Sequence, residues 1–146
     1  MDEYFECTRR VGFGDCDPAQ IAYTGRIANF ALDALDAFWE DLLGGEGWFQ
    51  MNAEGGYGLP FVRIEYDFKS PIVPGAPLFL QVWPVRLGTS SVTMAVRGVH
   101  RGAVCFEAQF VSVFTDRASF AKIAAPDHVR AALLRSYPAI ADAVSP

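Results

Sequence analysis

Two aspartates separated by one residue, Asp15 and Asp17, stand in the twelve-residue stretch GDCDPAQIAYTG from Gly14 to Gly25. Asp side chains bond nearby backbone N–H groups and Pro18 fixes a bend, so turn formation accounts for part of this pattern. It does not account for the apolar run Ile21, Ala22 and Tyr23 that follows. A carboxylate held beside a partly apolar pocket at the start of a helix suits acyl-transfer chemistry. A carboxylate there can attack a carbonyl or draw a proton from water. The N–H groups that open the helix carry partial positive charge and favour an oxyanion.

Other reactive groups have weaker patterns. Cys16 invites a thiol-nucleophile reading, but no histidine lies near it in sequence. His100 and His128 are isolated imidazoles without metal-ligand spacing, so no metal site is expected. His100 adjoins the Arg101-Gly102 turn and is expected to be exposed. Asp33 can hydrogen-bond a substrate hydroxyl or simply face solvent or an interface.

These groups need elements to hold them. Residues 4–12, with Tyr4, Phe5, Cys7 and Val11 among polar neighbours, predict an opening strand. From residue 26 to about 43, the polar residues Arg26, Asn29, Asp33, Asp36 and Glu40 recur at steps of three and four, a narrow hydrophilic stripe at helical period. The other faces are apolar, so sheet should enclose this helix. Thr24 reads as its N-cap and Gly44-Gly45 as its stop. Residues 44–60 carry six glycines with Trp48, Phe49, Met51 and Tyr57. They read either as a loop whose aromatic residues cover a ligand or as a helical turn near 48–53 packed on the core. Val62, Ile64, Tyr66 and Phe68 then alternate with Arg63, Glu65 and Asp67, as in a half-buried strand. Strands near 78–87, 91–97 and 103–115 complete a meander, with Pro84 marking an edge or a bulge. Residues 126–143 predict a terminal helix. The sum is an α+β arrangement, a curved antiparallel sheet wrapped around one long central helix, which is a hotdog fold.

A chain of 146 residues fits a single domain, 1–146. Three widely spaced cysteines suggest neither a disulfide framework nor a zinc knuckle, and a reducing cytoplasm is the simplest setting. The opening residues lack the pattern of a signal peptide, and no apolar run approaches a bilayer span. Net charge is −5, and the twelve bases comprise ten Arg with only Lys69 and Lys122. That argues against a nucleic-acid surface while leaving room for a local Arg pocket for a phosphorylated ligand. Apolar and aromatic contents of 51% and 14% exceed what a small monomer readily hides, so part of the surplus reads as subunit contact.

The stretch VGFGDCDPAQIAY, the apolar helix after it, Leu59-Pro60, the spacing of Phe68, Pro71 and Gly75, and the LGTSS turn together resemble the 4-hydroxybenzoyl-CoA thioesterase branch of hotdog acyl-CoA thioesterases. The similarity runs from about Cys7 to Thr115, and its specific part is Phe13 to Ala19. The resemblance implies that Asp17 is catalytic, as nucleophile or general base, and that the Thr24 N–H is the oxyanion donor. It also implies a cofactor-free enzyme, a homodimer or homotetramer, and a site at the subunit boundary. Gln20 stands where the family has glycine, so its side chain is expected to narrow the acyl pocket or set an amide near the reacting carbonyl. Tyr23, Phe61 and the aromatic loop are candidates to line that pocket for an aryl or short to medium acyl group. Gly88-Thr89-Ser90 lacks the basic residues that some relatives use for the nucleotide phosphates, which leaves Arg86, Arg97 or Arg101 for that task. Dehydratase and hydratase relatives pair a histidine with a carboxylate near the central helix, and residues 1–99 contain no histidine. The rival reading is a hotdog protein that binds an acyl-CoA or a small aromatic without turning it over.

Overall fold

The computed structural model describes residues 4–45 and 47–143. Residues 1–3, 46 and 144–146 lie outside it, and with them part of the amino-terminal, 44–60 loop and whole-chain readings. Alternating burial along FECTRR makes β1 (Phe5–Arg10), and a 3₁₀ turn (Phe13–Asp15) follows. Helix α1 (Thr24–Leu42) begins two residues before the hydrophilic stripe does. Its N-cap is Tyr23, in extended conformation with no side-chain cap bond, so Thr24 is the first helical residue and not the cap. The glycine-rich segment forms α2 (Trp48–Ala53), the helical alternative of the two. Then come β2 (Tyr57–Gly58), β3 (Phe61–Phe68), β4 (Pro77–Leu87), β5 (Ser91–His100), β6 (Ala103–Val113) and β7 (Thr115–Asp116). Helix α3 (Asp127–Ser136) and a 3₁₀ segment (Pro138–Ala143) close the described chain.

Five strands form one antiparallel sheet in the order β1-β4-β5-β6-β3, while β2 pairs with β7. Helix α1 packs against β1, β4 and β5. Its Phe30, Leu35, Phe38 and Trp39 share one buried cluster with Leu80, Val82, Val96, Phe106 and Phe110. Phe38 meets the edges of Phe5 and Trp39 at 6.2 and 5.2 Å, and truncating such a ring costs about 3–5 kcal/mol. One long helix enclosed by antiparallel sheet is the hotdog fold. Pro84 sits at a bulge: β1 pairing ends at Val82, and the β4–β5 register slips between Pro84 and Arg86.

Strand β3 departs from the half-buried expectation. Val62, Ile64 and Phe68 are exposed, Val62 by 62%. β3 is one of the two outer strands and pairs only with β6, and the bulge between Phe61 and Arg63 leaves Val62 out of register. Among the described residues no helix is long and apolar enough to cross a membrane.

Candidate active site

Hydrogen bonds to the two aspartates shape the loop before α1. Asp15 Oδ2 accepts the Gly12 N–H at 2.9 Å, and the Asp15 carbonyl accepts the Tyr23 N–H at 2.8 Å. Its Oδ1 lies 3.5 Å from Arg26 Nε and 4.0 Å from an Arg9 amino group. Asp15 therefore ties the end of β1 to the first turn of α1. Asp17 is placed differently. Its Oδ1 accepts the Ala19 N–H at 2.9 Å, whereas Oδ2 has no partner among the described residues. The Asp17 N–H donates to the Ile21 carbonyl at 3.1 Å, the Gln20 N–H donates to the Asp17 carbonyl at 2.8 Å, and Cys16 bridges to Ala22. This small hairpin presents the Asp17 carboxylate half-buried at the helix start.

Gln20 holds φ at +69°, the left-handed region where a side chain costs about 1–2 kcal/mol and glycine costs little. Glycine suits this position because of the backbone. The Gln20 side chain is exposed and does not line the space beside Asp17. That space is an open cleft of about 420 Å³ lined by Gly14, Cys16, Tyr23, Gly25, Arg26 and Asn29. The Tyr23 ring lies over Gly25, where a Cβ would come within 2.6 Å of Tyr23 Cε2. The N–H groups of Thr24 and Gly25 precede any intrahelical acceptor, and neither finds another among the described residues.

Arg26 and Asn29 belong to the cleft, although the sequence marked them only as part of a polar stripe. The usable signal was their spacing: Gly25, Arg26 and Asn29 lie three and four residues apart, one turn of one face. Asp33 is elsewhere, 2.5 Å from an Arg9 amino group and lining a groove with Phe5, Asp36 and Glu40. Phe61 packs edge-on against Trp48 at 5.1 Å and lines a separate cleft of about 290 Å³ with Asn52, Arg117 and Phe120. Arg97 donates to Gln81 Oε1 at 2.7 Å, Gln81 donates to Glu6 at 2.8 Å, and the guanidinium covers Trp83 at 4.8 Å. Arg86 and Arg101 are exposed, Arg101 in the β5–β6 turn. Within one chain none of these three arginines lines the Asp17 cleft.

His100 corrects the expectation of exposure: it is only 3% exposed. Its Nε2 accepts the Val73 N–H at 3.1 Å, and Nδ1–H donates to the Pro77 carbonyl at 3.2 Å. The β3–β4 connection folds back over the end of β5 and covers the ring. That connection also supplies the Ile72 carbonyl, which accepts the Ala22 N–H at 2.7 Å at the foot of the Asp17 hairpin. His128 lies 3.4 Å from the Tyr57 hydroxyl. Neither imidazole lines the cleft beside Cys16, whose thiol donates to the Gly12 carbonyl at 3.6 Å. Burial pushes the Cys105 thiol up to about 11, and burial followed by the charges of Glu6 and Asp33 raises Cys7. Among the described residues no three metal-ligating side chains converge.

A hotdog fold with a carboxylate hairpin at the foot of its central helix is consistent with a thioesterase-like protein. The chain belongs to the thioesterase-like superfamily, whose family model matches residues 11–133. It is similar to a thioesterase superfamily structure from Jannaschia sp., with 47% identity over 92% of this chain and 94% of that one and a TM-score of 0.88. The fold is also that of Slr0204, a 1,4-dihydroxy-2-naphthoyl-CoA thioesterase from Synechocystis, at 19% identity over 89% and 95% of the two chains and a TM-score of 0.77. A Thermus thermophilus thioesterase complexed with coenzyme A and Zn matches at 21% identity over 94% and 98%, with a TM-score of 0.80. Among curated proteins none matches this sequence.

Proposed function

We propose that this chain hydrolyses an acyl-CoA thioester to a free acid and CoA, with Asp17 as nucleophile or general base and the Thr24 N–H as oxyanion donor. One observation carries the reading: the Asp17 carboxylate opens on a cleft at the N-terminus of a 19-residue helix, and among the described residues one of its oxygens has no partner and the helix's first N–H groups have no acceptor. In the direct route a carboxylate oxygen adds to the thioester carbon, the C–S bond breaks, CoA leaves as thiolate, and water opens the mixed anhydride. In the other route Asp17 takes a proton from the water that adds. Either way charge grows on the carbonyl oxygen, where one preorganised donor is worth about 3 kcal/mol. Neither route calls on a cofactor. The Tyr23 ring at the cleft favours an aryl or short to medium acyl group. The Synechocystis enzyme's naphthoyl substrate and the coenzyme A bound by the Thermus protein are consistent with that class.

The site is completed by a second copy of the chain, as homodimer or homotetramer. The support is the outer edge of β3, where Val62, Ile64 and Phe68 face solvent, and the separation of Phe61 from the Asp17 cleft. Free Cys7, Cys16 and Cys105 suit a reducing, cytoplasmic setting.

A thiol-release screen over a panel of acyl-CoA esters tests the assignment. Asp17→Asn is expected to lower kcat about a thousandfold or more while the fold is retained. Near-normal turnover in that variant would exclude Asp17, and tight binding of a CoA thioether without any thiol release would favour a ligand-binding protein.

A further inference from the structure

A second cleft, of about 540 Å³, has no role in the chemistry above. Thr8, Arg10, Val11 and Phe13 line it together with Pro74 and Pro77, and Arg10 pairs with Pro77 between β1 and β4. Phe13 is 94% exposed, an unusual position for a phenyl ring. It is displayed by a fixed turn: Asp15 Oδ2 accepts the Gly12 N–H, the Gly12 carbonyl accepts the Asp15 N–H at 3.1 Å, and the Phe13 carbonyl accepts the Cys16 N–H at 3.2 Å. The Pro74–Pro77 lining is fixed as well, because His100 bonds both the Val73 N–H and the Pro77 carbonyl.

Arg10 is exposed and has no carboxylate partner among the described residues, whereas Arg9, Arg26, Arg63 and Lys69 each have one. An unpaired guanidinium beside an open aromatic face matches a phosphorylated nucleoside, whose base stacks and whose phosphates take forked hydrogen bonds. The place is also right. Phe13 lines this cleft and Gly14, the next residue, lines the Asp17 cleft, so the chain passes directly from one to the other. Asp17 is four positions after Phe13, which limits their Cα atoms to about 14 Å, within reach of a pantetheine arm.

We propose that Arg10 and Phe13 form the subsite for the nucleotide end of CoA, adenine on the Phe13 ring and phosphates on Arg10. This rests on the acyl-CoA reading of the Asp17 cleft. None of the arginines singled out from the sequence for this task is used.

The test compares one acyl group carried on CoA and on N-acetylcysteamine, which lacks the nucleotide. Arg10→Ala and Phe13→Ala should each lower the ratio of kcat/KM for the CoA ester to that for the short ester by about tenfold. An unchanged ratio, including equal losses on both esters, overturns the proposal. Calorimetric titration with adenosine 3′,5′-bisphosphate needs no turnover and so is independent of Asp17 chemistry. Binding to the wild-type chain that weakens about tenfold in Arg10→Ala supports the subsite. Absence of binding, or equal binding by Arg10→Ala, as when a second copy covers Phe13, overturns it even if Asp17 proves catalytic.

Discussion

Asp15 commits both carboxylate oxygens, one to a backbone N–H and one to arginines, while Asp17 two positions on leaves an oxygen unpaired. Hydrogen bonding thus separates a group that holds the loop from one left available to react. His100 lies at the committed extreme, with one ring nitrogen bonded to the backbone of the β3–β4 connection and the other to that of Pro77 at the start of β4. Replacing it with an apolar side chain of similar size leaves the Val73 N–H and the Pro77 carbonyl without these bonds, a loss of about 1–3 kcal/mol each wherever water does not take the place of the ring. His100→Leu is therefore expected to lower the urea midpoint by an amount equal to about 2–4 kcal/mol, and an unchanged midpoint would show that water replaces both bonds. Nothing local announced this role. His100 stands beside an Arg-Gly turn, and the segment that buries it comes from more than twenty residues earlier in the chain.

At the scale of elements, the turn after β7 shows how one carboxylate can organise a segment. Asp116 Oδ2 accepts the Ala118 N–H at 3.1 Å, the Ser119 N–H at 2.9 Å and the Ser119 hydroxyl at 3.0 Å. The Ser119 backbone and side-chain bonds hold the Asp116 carboxyl below its ordinary value of 3.8. A group depressed in the folded state adds stability that is full above the unfolded value and fades as pH falls through the folded one. Asp116→Asn is therefore expected to be less stable than wild type at about pH 6, with a smaller gap at about pH 3. Urea unfolding at the two values checks it, and a gap independent of pH would assign the effect to geometry instead of charge. The central helix and the meander were legible in the sequence because their apolar periods, 3.6 and 2, differ and are long enough to read. The start of α1 was less so, since Tyr23 caps it through backbone conformation alone and Thr24 has the better capping side chain. Within the candidate site, the position of Asp17 in a turn just before the helix was legible from its motif, whereas Arg26 and Asn29 enter the cleft only through the direction in which α1 leaves the hairpin.

For the molecule as a whole, the exposed edge of β3 bears on assembly. A lysine in the middle of that strand places a charge where two copies would pair while leaving the buried core untouched. Ile64→Lys is expected to convert a dimer to monomers in light scattering and to reduce turnover with it; a wild-type chain that is already monomeric would remove the basis for a shared site. The strand order has a second effect, during synthesis. Phe5 pairs with Val82, and Phe61 pairs with Ser112, so neither outer strand meets its neighbour until most of the chain has been made. The central helix leaves the ribosome long before the strands that cover Phe30, Leu35, Phe38 and Trp39. The nascent chain therefore carries a bare apolar stripe for much of its translation, a stage at which it is a substrate for chaperones and open to aggregation.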